Sequence, residues 1–99
     1  MLLVREIYHC KPGKVRPMVE KFLAMKKLGE KTGWKMRVMT DLVADRYWTI
    51  VTEMEVESMD AFMKMDDMPK EDMQAMEEIM KGYHDLVEGG KREIYTIEG

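Results

Sequence analysis

The chain has 99 residues and a formal net charge of −3, enough for one domain with one core, and roughly a third of the surface exposed by the unfolded chain would stay exposed after folding. Acidic and basic residues are interspersed and no basic stripe could release counterions, which argues against a nucleic-acid partner. Cys10 is the only cysteine, so no internal disulfide can form. Met1-Leu2-Leu3-Val4 meets Arg5 too soon to be a signal or membrane segment, and the expected setting is a reducing cytoplasm.

The first strand is predicted over Leu2 to Cys10, with Lys11-Pro12-Gly13 as its stop: proline removes a ladder donor and glycine permits the turn. A helix beginning near Lys14 follows, because Val15, Met18, Val19, Phe22, Leu23 and Met25 recur close to a 3.6-residue period while lysines, Arg16 and Glu20 fill the remaining surface. Gly29 and Gly33 bracket its end, with lysines in the last turns complementing the helix dipole. Trp34 to Leu42 alternates basic or polar with apolar residues as a half-buried strand does, and Ala44-Asp45-Arg46 connects it to the next. Tyr47 to Glu57 has a period of two, with Trp48, Ile50, Met54 and Val56 on one face, expected to meet the helices.

Ser58 is a good N-cap for a helix holding Met59, Phe62, Met63 and Asp66, which Pro69 interrupts before Lys70-Glu71-Asp72 restart the pattern. Two helical pieces are expected. In the second, Met73, Met76, Met80, Tyr83 and Val87 form a stripe that Gly89-Gly90 should end, leaving Lys91 to Glu98 as the closing strand. Thirteen methionines fall mostly in this region, where they read either as a soft core or as an adaptable ligand pocket.

The order strand, helix, strand, strand, helix, strand is the split βαβ, or ferredoxin-like, arrangement: an α+β fold with a four-stranded antiparallel sheet and its helices on one face. In that topology the first and last strands are antiparallel neighbours. The tetrapeptide Arg-Glu-Ile-Tyr, which occurs as Arg5 to Tyr8 and again as Arg92 to Tyr95, would then lie beside its own copy. This is no trace of a duplicated half, since the fold's pseudo-symmetry pairs the first strand with the third. The uncovered sheet face would be apolar and aromatic, and a second copy of the chain under twofold symmetry is the simplest cover.

Arg5-Glu6-Ile7-Tyr8-His9-Cys10-Lys11-Pro12-Gly13-Lys14 resembles the opening strand and turn of NIPSNAP-like proteins, within the dimeric α+β barrel superfamily that includes antibiotic-biosynthesis monooxygenases. Leu86-Val87-Glu88-Gly89-Gly90-Lys91-Arg92-Glu93-Ile94-Tyr95 is similar to the end of the same group. With the order of elements, the resemblance spans the whole of residues 1–99. It implies a homodimer whose sheets face one another and, in enzymatic relatives, a pocket between sheet and helices. It does not imply one reaction, since relatives include cofactor-independent oxygenases and haem-degrading enzymes.

Candidate chemistry is sparse. The Gly-aromatic signature of an RNA-recognition domain, paired cysteines for a soft metal and a phosphate-cradling glycine loop are all missing from the sequence. His9 and His84 are the natural candidates for general acid, base or ligand, and His84 is the catalytic candidate; the plainer reading of each is a hydrogen-bonded or exposed residue. No metal spacing is present, and no cofactor is called for by the residues themselves. Tyr8, Trp48 and Tyr83 are candidate ligand-binding walls, with Trp48 and Tyr83 expected to face each other across a pocket. Arg37 would orient an anionic substrate or pair with Glu53 or Glu55 across the strands. Glu6 and Glu93 are a candidate buried acid or the partners of Arg5 and Arg92. Two functions follow as expectations: a small cofactor-free or haem-using, monooxygenase-like enzyme acting on an aromatic or acyl molecule held between sheet and second helix, or a non-catalytic dimeric module that binds a small ligand or a protein.

Overall fold

A computed structural model describes residues 1–65 and 67–99 of the chain; Asp66, expected in the helix after Ser58, lies outside the described residues. Four strands, β1 (Leu2–Cys10), β2 (Met36–Thr40), β3 (Thr49–Val56) and β4 (Val87–Thr96), form one antiparallel sheet in the order β2-β3-β1-β4. Helices α1 (Val15–Glu30), α2 (Met59–Lys64) and α3 (Lys70–Met80) pack on one side of it, so the fold is ferredoxin-like as the element order predicts.

The register decides which residues meet the helices. Tyr8 stacks on Phe22 of α1 at 4.8 Å between ring centroids, so Val4, Glu6, Tyr8 and Cys10 face inward, as do their neighbours Ile50, Thr52 and Met54 on β3. Met18, Val19 and Phe22 of α1 close over Ile50 and Cys10 as the centre of the core. Burial pushes the Cys10 thiol pKa up, consistent with an inert packing role. The outer face carries Leu3, Arg5, Ile7 and His9 of β1 with Val51 and Glu53 of β3.

The helix ends follow local chemistry. The Ser58 hydroxyl accepts a hydrogen bond from the Ala61 amide at 3.1 Å and starts α2; Pro69 precedes α3, as expected from its fixed φ. No basic residue lies in the last turn of α3. Instead Lys21 of α1 donates to the carbonyls of Ile79 at 3.0 Å and Lys81 at 2.7 Å, so a cation from the neighbouring helix satisfies groups that the end of α3 leaves open.

Several boundaries differ from those predicted. The strands around the 41–48 loop are shorter, Met36–Thr40 and Thr49–Val56. The stripe read as one long helix stops at Met80, because Gly82 adopts φ +82 and a single 3-10 turn, Tyr83–Asp85, carries the chain into β4. Gly89 and Gly90 therefore lie inside β4, which begins at Val87. Their function is close approach: a Cβ on Gly90 would land against the Ile7 carbonyl oxygen, inside van der Waals contact. Gly90→Ala is accordingly expected to destabilise the fold by about 1–2 kcal/mol, while Gly89→Ala, which meets nothing within 4 Å, has a smaller effect. Urea unfolding of the pair distinguishes crowding from a generic loss of glycine; equal losses would refute the contact.

The two Arg-Glu-Ile-Tyr copies are neighbours, and their register makes them reciprocal. Arg5 lies opposite Glu93 and Glu6 opposite Arg92. An antiparallel pair also inverts the faces: Glu6 and Tyr8 point to the helices, whereas Glu93 and Tyr95 point away from them. The two glutamates thus cannot form one buried acid. Each pairs with the arginine of the other copy, Arg92 Nε to Glu6 at 2.8 Å and Arg5 to Glu93 at 3.9 Å.

Candidate functional site

Between the sheet and the three helices lies a cavity of about 610 Å³, within the range of small-molecule sites. Nine methionines line it, among them Met25 of α1, Met36 and Met54 of the sheet, and Met73, Met76 and Met80 of α3. The helical period explains the last three: at i, i+3 and i+7 they share the inward face of α3. Met63 and Met73 remain partly open to solvent. Unbranched thioethers with three rotatable bonds give this wall an adaptable shape.

The polar side of the cavity belongs to the sheet. Glu6, Tyr8, Thr52 and Arg92 line it, and the first, second and last of these are linked. One oxygen of the Glu6 carboxylate accepts from Arg92 Nε at 2.8 Å, with Arg92 Nη2 2.5 Å from the same oxygen, and the other accepts from the Tyr8 hydroxyl. Burial, and then the bond to Glu6, raise the Tyr8 pKa well above the ordinary phenol range. Tyr8 is therefore held as a neutral phenol, a hydrogen-bond donor. The Arg92 guanidinium also lies 5.1 Å from the centre of the Phe62 ring, a cation–π contact that ties α2 to β4.

A second recess of about 480 Å³ opens where α3 ends. Tyr83, His84, Lys91 and the backbone of Gly89-Gly90 line it, together with Glu6, Tyr8 and Arg92. The Tyr83 and His84 rings lie 3.9 Å apart between centroids.

The candidates named from sequence distribute unevenly. Tyr8, Tyr83 and His84 come together in the second recess, and Tyr8 reaches the methionine cavity as well. Trp48 does not join them. It precedes β3 at φ +61, is 44 % exposed, and lines a shallow recess with Tyr47, Val15 and Asp41. Alternation had placed it inward, but its left-handed backbone breaks the alternation one residue before the strand begins. The expected Trp48–Tyr83 pocket is therefore not formed.

Arg37 lies on the outer face and pairs with Glu53, the cross-strand alternative to substrate binding. Glu53 is 6 % exposed and also accepts from Arg5 Nε at 2.7 Å. The Arg37 hydrogen bond draws the Glu53 pKa below the usual carboxylate range, burial opposes it, and Arg5 adds to the lowering. His9 is on the same outer face, with Nδ1 3.5 Å from the Thr49 hydroxyl. Arg92 is expected from sequence only as an ion-pair partner of the glutamates, and that pair forms with Glu6; its place on the cavity wall follows from the antiparallel register, which sets it beside Glu6.

Among the described residues no group of three or more His, Cys, Asp or Glu is placed to hold a metal ion, and no helix is long and apolar enough to cross a membrane. A haem would need an axial histidine, cysteine, tyrosinate or methionine–histidine pair. The methionine cavity offers thioethers and a phenol that holds its proton, and neither histidine lines it. This donor set does not fit haem.

No family model and no curated protein matches the sequence. Solved structures match its fold. An uncharacterised NIPSNAP-like domain protein from Burkholderia xenovorans superposes with a TM-score of 0.76 at 13 % identity, over 98 % of this chain and 84 % of that one. A proposed antibiotic biosynthesis monooxygenase from Deinococcus radiodurans gives 0.67 at 11 % identity, over 100 % and 94 %. A dimeric protein of unknown function with a ferredoxin-like fold from Bacteroides fragilis gives 0.68 at 15 % identity, over 97 % and 96 %. The chain shares its fold with NIPSNAP-like proteins and with proteins described as antibiotic biosynthesis monooxygenases.

Proposed function

We propose that this chain binds a small aromatic or acyl molecule in the methionine-lined cavity, and that it does so as a homodimer joined through its outer sheet faces. One observation carries the binding reading: an adaptable apolar space of about 610 Å³ that ends on a linked Glu6–Tyr8–Arg92 wall. An apolar body gains from leaving water, and a few fixed donors orient its polar end. The wall is built to orient rather than to remove a proton. Glu6 already accepts two hydrogen bonds and Tyr8 keeps its hydrogen, so monooxygenase-like turnover would have to draw its reactivity from the bound molecule itself.

Support for the dimer comes from Leu3, Ile7 and Val51, which the helices leave uncovered, and from the Bacteroides fragilis protein of the same fold, which is described as dimeric. Light scattering behind a sizing column should give twice the chain mass at micromolar concentration. A clean monomer there removes the dimer from this proposal.

The binding test uses 1-aminoanthracene, a neutral fluorescent aromatic. Its titration should saturate at one molecule per chain and raise the melting temperature, since a ligand that binds only the folded state stabilises it by mass action. Met76→Trp, which fills the cavity, is expected to weaken the affinity at least tenfold with the fold unchanged by circular dichroism. Unchanged affinity in that variant would place the probe elsewhere and refute the cavity as the site.

A further inference from the structure

The methionine cavity and the recess beside Tyr83 share a wall, since Glu6, Tyr8 and Arg92 line both. We infer that the two spaces receive the two ends of one amphiphile: an acyl or aromatic body among the methionines, and an oxyanion head, carboxylate or phosphate, in the recess beside Arg92 and His84. The inference rests on the binding reading above and names the class of ligand.

Charge supports the assignment. Of the acids at the recess, Glu6 is engaged by Arg92 and Tyr8, and Glu88 lies 3.5 Å from Arg46. Lys91 lies opposite Ile7 on the outer face, 3.6 Å from Glu93, so Arg92 is the cation that β4 offers to the recess. Arg92 spends part of a five-donor guanidinium on Glu6 and keeps further N–H groups for a second acceptor. The Tyr83 ring packs against that of His84, tilted by 34° with 3.9 Å between centroids.

Backbone shape supports it as well. Gly90 is the cross-strand partner of Tyr8 and Gly89 that of His9, so no side chain from β4 stands between the phenol and the recess. A head group there lies beside the remaining N–H groups of Arg92, while a chain attached to it would run past Tyr8 and Arg92, which line both spaces. A wholly apolar ligand would leave the remaining donors of Arg92 unused.

The test compares octanoate, octyl phosphate and octanol by isothermal titration against the intact protein. Both acids should bind at least tenfold more tightly than octanol, and the tighter of the two identifies the head. Shortening octanoate to hexanoate should weaken binding by up to about fourfold per methylene lost. His84→Ala leaves the lining of the methionine cavity untouched and should reduce the acid preference while octanol affinity stays within about twofold.

Equal binding of octanol and both acids by the wild type overturns the inference, as does acid binding with no dependence on chain length. Failure of the octyl series together with failure of 1-aminoanthracene would instead refute the binding reading on which it stands. With 1-aminoanthracene bound and no preference for acids, the cavity survives and only the oxyanion head is lost.

Discussion

Phe22→Ala is expected to cost about 3–5 kcal/mol of unfolding free energy, a fall in melting temperature of roughly 15–30 °C for a domain of this size. The ring is 2 % exposed, stacks on Tyr8 at 4.8 Å, and lies between the tight core around Ile50 and the methionine cavity. Its removal joins a void to a space that is already open, so the surroundings have little left with which to collapse. Phe22→Leu retains most of the volume and should cost less than about 1.5 kcal/mol. Urea unfolding of the two variants at one protein concentration decides the matter, since any assembly would make stability depend on concentration. A loss below about 1 kcal/mol for the alanine variant would mean that flexible thioethers refill the site and that the Tyr8–Phe22 stack does not hold the cavity's sheet wall.

Glu53→Gln should lower stability near neutral pH by about 2 kcal/mol, the scale of hydrogen bonds to a charged group, because one buried carboxylate serves both Arg5 and Arg37. The sign with pH is fixed by the direction of the shift. The folded-state pKa lies below the ordinary carboxylate value of 4.5, so the contribution is fully present above that value and is lost as pH falls through the folded pKa. Wild type minus Glu53→Gln, measured by urea unfolding from about pH 7 to about pH 3, should therefore shrink towards zero at the acid end. A difference that stays constant over the range would show that the carboxylate's charge contributes nothing to the fold. Arg5 and Arg37 remain partly exposed, at 34 % and 72 % of their side chains, which is why the expected loss is less than that of a fully buried pair.

The fold was legible because its signals agree with one another. Period-two runs in β1 and β3, the Ser58 cap, the Pro69 break and the methionine spacing of α3 each have one physical solution, and these solutions fit a single topology. The failures occur where one backbone angle overrides a pattern. Trp48 continues the alternation of β3 on paper, but its positive φ turns it away from the helices. Gly82 ends the methionine stripe earlier than Gly89-Gly90 because it adopts the left-handed conformation, whereas the later pair are needed to let two strands approach.

The site was legible in part for a related reason. Periodicity shows that Met73, Met76 and Met80 share a face, yet it cannot show that the face borders a space rather than a filled core. That difference depends on how far α3 stands from the sheet, and here Lys21 of α1 helps to set it by holding the carbonyls at the end of α3. Likewise Arg92 becomes a site residue only through its register with Glu6. Tyr83 and His84 meet Tyr8 because the chain turns at Gly82 instead of continuing as helix.

The sheet order β2-β3-β1-β4 also sets a timetable for synthesis. β1 leaves the ribosome first yet belongs in the interior of the sheet, and the strand that covers its second edge is the last to emerge, with Glu6 and Arg92 86 positions apart. α1, β2 and β3 can assemble against one side of β1 while the other side stays bare. During that interval the first Arg-Glu-Ile-Tyr is an open edge, and its guards are Arg5 and Glu6, since charges along a strand discourage pairing with foreign chains. Once the second copy arrives, the same two charges become its docking partners, so the residues that keep strangers from the nascent edge are those that admit the strand made to close it.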